Sequence, residues 1–422
     1  MDPLTKPIIV KNKTERTEDF SLVLGGPLYK LLLRSRLIQP PLGQLGWRIG
    51  AITALAWLPL VALTIFHGHF MSGVKVPFLY DFEVQARLLF ALPLLVLAEL
   101  MVNLRMRPIT EQFLERQIIS HTSRPAFSAA ISSAMRLRNS VAAEIGLLLI
   151  AVLAGSYFWK ETYALHSNAW SATLSSSRLN YTPAGRWYTF VSVPVFQFIL
   201  LRWYYRIFIW SRFLFQVSRL DLNLVALYPD RCCGLGFLGN VAFEFAPLVM
   251  AHSGLVAGFL ANRILHEGAS LRDYRFELIG MVVLLLLMVL GPLCVFIPKL
   301  EHARLTGLRT YGRLASDYVV AFAEKWCHGP ITGRERLLGS ADIQSLSDLA
   351  NIFAAVKETR LVPFGKDTVL QFLVVIALPL APLVFTMFSV EELIKRLINV
   401  VSVTHLATRK DFASHNGFHP QR

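Results

Sequence analysis

Acidic residues and cysteines are scarce in this 422-residue chain, and charged residues of both signs make up 17% of it. None of the compact catalytic signatures is present: no HExxH, no P-loop, no GxSxG and no paired-aspartate motif. Nothing therefore specifies a hydrolase, kinase or protease, and the expectation is a protein that is not an enzyme. The four cysteines are Cys232, Cys233, Cys294 and Cys327. They form no CxxC and match no histidine spacing, and adjacent cysteines rarely bridge to each other. Reduced thiols are expected, with no structural zinc and no cofactor. His67-Gly68-His69 would need a third ligand from elsewhere to hold a metal.

Acid is short relative to base, 28 Asp and Glu against 42 Lys and Arg, for a net charge of +14. In a soluble protein that surplus would suggest nucleic acid. Here 54% of residues are hydrophobic, and the expected partner is anionic lipid at the cytoplasmic face of a bilayer, not nucleic acid.

What the chain has instead is long apolar runs: Ile49–His67, Leu88–Asn103, Val141–Trp159, Trp187–Ile209, Val241–Asn262, Leu278–Ile297 and Val369–Phe388. Each is about as long as a helix needs to cross a ~30 Å hydrocarbon core. The reading is all-α: a polytopic membrane bundle of about seven transmembrane helices, with long helices extending into the cytoplasm. Segments 1–48, 104–140, 202–240 and 298–368 carry 29 basic residues, and the intervening loops at 68–87, 160–186 and 263–277 carry 8. That asymmetry predicts a cytoplasmic N-terminus. Seven crossings put the C-terminus outside, although Pro379 and Pro382 leave a re-entrant hairpin open for the last run. The polar, basic start of the chain has no apolar core of a signal peptide, so cleavage is not expected.

Five regions follow. Residues 1–45 hold a tail and an interfacial amphipathic helix over Phe20–Leu37, with Pro27 at its first turn; a plug or a docking helix is the functional alternative. Residues 46–298 hold six spans, with a cytoplasmic helix over Ile109–His121 and a Ser-rich, loosely packed loop at 160–186. The fourth span continues past Arg202 and Arg206 toward Arg219 as one long helix. Residues 299–367 form a cytoplasmic helical hairpin, whose second helix, from Ser340 to about Glu358, presents Ile343, Leu346, Leu349, Ile352 and Phe353 as one stripe. Residues 368–388 are the seventh span or hairpin, and 389–422 an interfacial helix and a disordered tail.

Two groups of residues are candidates for function. Inside the spans lie Glu99 and Asn103, four apart on one helix face, and Glu244 and His252, eight apart on one broad side with Pro247 bending the helix between them. An ionisable group in a span is costly unless paired, and is a functional candidate by default. Glu244 and His252 are the pair best suited to an ion or proton pathway. Alternatively, Glu244 locks helices by pairing with Arg48 or Arg202, and His252 bonds a backbone carbonyl. The second group is the turn Arg219–Gly239, with Arg219, Asp221, Asp230, Arg231, Gly234, Gly236 and Gly239. Its glycine amides could bind an anion, or its acids and arginines could pair with one another to pin a rigid turn. The formal GxGxxG follows no strand, so a dinucleotide reading fails its context.

The stretch Ser211–Gly239, with R-L-D-L and P-D-R-x-x-G-L-G-F-L, resembles a group of uncharacterised bacterial multi-pass inner-membrane proteins. So does Leu338–Leu346, followed by Leu361-Val362-Pro363-Phe364. The resemblance covers most of Phe20–Leu397 and implies a bacterial inner-membrane location without supplying an activity. Tyr228 stands where the usual pattern has His, and Cys232 and Cys233 where it has small residues. A proton or metal role for that His would be absent here. Two functional expectations result: a homo-oligomeric ion channel or small-ion transporter with the cytoplasmic helices as gate or assembly surface, or a membrane scaffold or sensor recruiting a partner through its cytoplasmic helices.

Overall fold

The structure, a computed structural model, describes residues 20–26, 45–106, 108–164, 170–175, 178–328 and 341–385. Helix dominates: α1 (Leu45–Phe66), α2 (Leu92–Met106), α3 (Arg124–Arg138), α4 (Val141–Ala164), α5 (Val193–Ser218), α6 (Ala246–Glu267), α7 (Arg275–Leu290), α8 (Ile297–Ala323), α9 (Ala341–Lys357) and α10 (Lys366–Val384). Five helical runs are long and apolar enough to cross a membrane: Leu45–Phe66, Phe82–Glu115, Phe237–Glu267, Leu271–His328 and Lys366–Val384. Val141–Leu153 is a shorter apolar stretch. The expected run Trp187–Ile209 is not among the five. Most of it lies in α5, which carries Arg202, Arg206 and Arg212 and turns the first two into the protein.

The outer surface explains why the runs are apolar. Leu58 and Ile65 of α1, Leu284 and Leu287 of α7 and Leu370, Val374 and Leu378 of α10 are all exposed. Water would not tolerate so continuous an apolar coat, whereas hydrocarbon does, provided that the backbone bonds are satisfied within each helix.

The interior is built around α5. Trp203, Trp210 and Phe213 are buried, and the Trp203 indole N–H donates to Leu95 O of α2 at 2.9 Å. From α5, the Tyr205 hydroxyl donates to Leu137 O at 2.8 Å and Arg212 to Ser133 Oγ at 2.8 Å, fastening α3. Helix α6 packs against the turns that precede α2. A Cβ at Gly258 would lie 2.5 Å from the Ala86 methyl and 2.8 Å from Phe82 O, so only glycine permits this approach. Ala86 begins a π-helical turn, Ala86–Ala91, and a second π turn, Tyr188–Ser192, leads into α5.

Several expectations are corrected. Residues 20–26 are not helical, and Phe20, Ser21, Leu22 and Val23 are buried. Ser21 Oγ donates to Asn103 Oδ1 at 2.6 Å, and Arg138 donates to Ser21 O at 2.6 Å. The segment is a strap inserted into the bundle, held by polar contacts that an amphipathic pattern does not encode; the rest of Phe20–Leu37 lies outside the described residues. The helix after α2 is Ile109–Glu115 only, closed by Gln117 at φ 53. The 160–186 loop contains an antiparallel hairpin, β1 (Ala172–Ser175) with β2 (Arg178–Tyr181), pairing Ala172 with Tyr181. Its entry residue, Trp170, is fully buried, so the loop is anchored.

A continuous helical run, Leu271–His328, joins α7 to α8, and α9 packs on α8 with Val356 against Gly307 and Phe353 against Gly312, though Ile343 is exposed. Helix α10 remains helical through Pro379 and Pro382, so residues 366–384 form no hairpin. Ser340 and the segment 389–422 lie outside the described residues.

Candidate functional site

Helix periodicity places Glu99 and Asn103 on one face of α2, as expected, but they serve different partners. Glu99 Oε2 accepts from Arg48 Nη2 of α1 at 2.6 Å. Its Oε1 accepts from Arg206 Nη2 of α5 at 2.8 Å and lies 3.6 Å from Arg202 Nη1. Arg202 Nη2 continues to Glu144 Oε1 of α4 at 3.5 Å. One carboxylate thus joins α1, α2 and α5, and Arg202 extends the lock to α4. Asn103 instead accepts from Ser21 in the strap. A buried ion network specifies an arrangement more than it adds net stability, but removal of one member leaves uncompensated charge.

Glu244 and His252 are not a pair in the structure. Glu244 lies in a 3-10 turn, Phe243–Phe245, within the helical run Phe237–Glu267, and Pro247 occupies the first turn of α6. Proline is well tolerated there because that amide has no helical acceptor. Glu244 Oε1 meets Arg105 Nε at 3.3 Å, with the Arg105 side chain 71% exposed. Its partner is therefore neither Arg48 nor Arg202. His252 bonds Leu248 O through Nδ1 at 2.7 Å and the Tyr204 hydroxyl through Nε2 at 2.7 Å. Both ring nitrogens are engaged.

The Arg219–Gly239 turn contains the predicted nest of amides, and its anion is Asp230. Oδ1 accepts from Cys232 N at 2.8 Å and Gly234 N at 3.1 Å, and Oδ2 from Gly236 N at 2.9 Å. Arg116 Nη1 stands 3.8 Å from Oδ2 and donates to Gly234 O at 3.1 Å. Arg231 and Cys233 take left-handed conformations, φ 53 and 55, to bring these amides onto one carboxylate. The expected pairing within the set does not form. Arg231 pairs with Glu358 at 2.9 Å, Arg219 lies over Phe215 and Asp221 is exposed. Burial pushes the Cys232 thiol up to about 11 and the Cys233 thiol up to about 12, so both remain protonated near neutrality.

The same turn clasps the linker between α9 and α10. Arg360 N donates to Arg231 O at 2.8 Å, Cys232 Sγ to Val362 O at 3.4 Å and Thr359 Oγ1 to Ala226 O at 3.2 Å. A Cβ at Gly239 would stand 2.5 Å from Pro363 O, which explains a glycine there. On its other side the turn meets the segment after α2, where Asn223 N donates to Ile118 O at 2.8 Å. Arg219–Gly239 is thus a joint connecting α2, α5, α6 and the α9–α10 linker.

A further polar centre was missed by sequence reasoning. Asp81 accepts from the Trp170 indole at 2.9 Å, Asn262 Nδ2 at 2.8 Å and Val84 N at 3.3 Å. Arg87 pairs with Glu83 at 2.5 Å and donates to the Tyr188 hydroxyl, which links the two π turns. An acid capping a helix N-terminus is common, so Asp81 gave no distinct signal. Arg87 and Glu99 are separated by roughly 18 Å of helix. Between them Leu88, Ala91, Leu92 and Leu95 are fully buried. Among the described residues no group of three or more His, Cys, Asp or Glu could hold a metal ion.

Comparison of the chain with protein-family models, curated proteins and solved structures gives no match.

Proposed function

We propose that this chain is a scaffold or sensor of the bacterial inner membrane, N-terminus inside with seven crossings, working as a homo-oligomer. Its recognition surface is the α8–α9 pair. The single observation that carries this reading is that α8 leaves the bundle: of its 27 residues only Leu300 and Gly307 are buried. Leu314, Val319 and Val320 of α8 and Ile343 of α9 are exposed on it. Charges of both signs accompany them, Arg313 with Asp317 and Lys325 with Asp342. A surface that mixes apolar residues with both signs suits a second copy of itself, because a two-fold interface must be self-complementary. The joint at Arg219–Gly239 supports a sensing role, since it ties the linker after α9 to the bundle.

The competing reading is an ion channel or transporter with Glu99, Glu244 and His252 on its pathway. The geometry supports it less: Glu99 is held by three arginines, and buried apolar side chains fill the helical stretch between Arg87 and Glu99. Native mass spectrometry with a liposome flux assay separates the two. The scaffold reading expects a defined oligomer that Val320→Glu dissociates, and no flux of protons, monovalent cations or halides. A wild-type flux altered by Glu244→Gln at unchanged stability would overturn it in favour of transport.

A further inference from the structure

Among the described residues, two buried N–H groups on α5 find no acceptor: Arg206 Nη1 and Trp210 Nε1. Arg206 is 4% exposed and Trp210 1%. They are four residues apart, on one face of the helix. The Trp203 ring, 4.8 Å from the Arg206 guanidinium carbon, attracts the charge but accepts no in-plane N–H bond. An unmade bond to a buried charged donor is expensive, and such groups normally find a partner.

The surrounding charge has the same sign. Arg48, Arg202 and Arg206 surround Glu99, Arg202 also reaches Glu144, and Arg138 lies close enough to be repelled by Arg206. Among the described residues of this cluster, four guanidiniums meet two carboxylates. Burial first, and the Arg206 charge second, hold the Arg138 guanidinium below its ordinary range. The strap is adjacent: Phe20 packs on Trp210, with ring centroids 6.2 Å apart, and Arg138 holds Ser21 O.

We propose that Arg206 Nη1 and Trp210 Nε1 form a buried site for a small monovalent anion of halide type, covered by the Phe20–Val23 strap. The two orphaned donors supply the hydrogen bonds, and the excess of guanidinium supplies the charge that selects an anion over water. The inference stands apart from the scaffold reading, because a sealed structural anion is compatible with either function.

The test uses the purified full chain in detergent, melted in sodium chloride, bromide or gluconate at equal ionic strength. The halides are expected to raise the melting temperature saturably by roughly 2–4 °C over gluconate. Trp210→Phe, which removes one N–H and little volume, should abolish most of that rise. Arg206→Lys should do the same while retaining charge toward Glu99. Bromide-soaked crystals should show an anomalous peak within hydrogen-bond reach of both nitrogens. Equal melting in all three salts means that water or nothing occupies the site, and overturns the proposal. So does a full halide response in Trp210→Phe, which keeps the test decisive if Arg206→Lys does not fold.

Discussion

Glu99 and Glu244 are both carboxylates within apolar helical runs, and the structure gives them opposite surroundings. Glu99 is 8% exposed and held by arginines from α1 and α5. Among the described residues Glu244 meets one arginine, at 3.3 Å, whose side chain is mostly exposed. The role of an intramembrane acid is therefore set by what other helices bring to it, and not by its own span. Two further carboxylates extend the series. Asp230 is held mainly by backbone amides, and Asp342 pairs with Lys325 and Trp326 where α9 meets α8. If burial and partner number govern these acids, the effect of neutralising each should fall in the order Glu99, Asp230, Glu244, Asp342.

The largest loss is expected at Glu99. Glu99→Gln retains shape but leaves Arg48, Arg202 and Arg206 buried with one carboxylate, Glu144, among them. Breaking a buried ion network by removing one partner costs about 3–5 kcal/mol. Chemical denaturation in detergent measures it, and a loss below about 1 kcal/mol would show that the arginines reach solvent on their own.

Asp230→Asn comes second. One of its oxygens becomes an NH2 facing amides that also donate, so at least one buried donor is orphaned, at a cost of about 1–3 kcal/mol. The loss should concentrate in the turn and the α9–α10 linker, visible as faster amide exchange at residues 359–365. A uniform loosening of the whole chain would break the joint reading.

How much of this was legible beforehand depends on whether the controlling contact is local. The spans, the extension of α7 into α8 and the stripe of α9 are periodic, and periodicity is written in neighbouring residues. The turn at 219–239 announced itself through clustered glycines and acids, and its amide nest was anticipated. That Asp230 itself fills the nest depends on left-handed backbone at Arg231 and Cys233, two residue types that give no warning of it. The partners of Glu99 come from residues 48, 202 and 206, and those of Asp81 from 170 and 262. Such pairings are matters of helix arrangement, which hydropathy does not specify. The strap at Phe20–Val23 gives no local signal for the same reason: its apolar residues suit a membrane surface and a bundle interior equally well.

Glu244→Gln is expected to lower stability by about 0.5–1 kcal/mol, because its arginine is largely solvated already and exposed pairs contribute little. Raising salt should shrink the difference between wild type and variant. A loss as large as that at Glu99 would mean that Arg105 is buried in the assembled protein, and would break the contrast on which the series rests.

The smallest effect belongs to Asp342. Hydrogen bonds from the Lys325 ammonium and the Trp326 indole hold its carboxyl below the ordinary aspartate range. A carboxylate depressed in the folded state contributes stability that is fully present above its unfolded pKa, near 4, and is lost as pH falls through its folded value. The docking of α9 on α8 should therefore be constant from pH 7 to about pH 5 and weaken below about pH 4. Trp326 donates to the same carboxylate, so the change should appear in its fluorescence, resolved by difference against Trp326→Phe. Asp342→Asn should remove the step and leave a signal flat through the acid range. If the step persists in Asp342→Asn, another acid controls the α8–α9 contact, and the recognition surface would have to be redrawn around that residue.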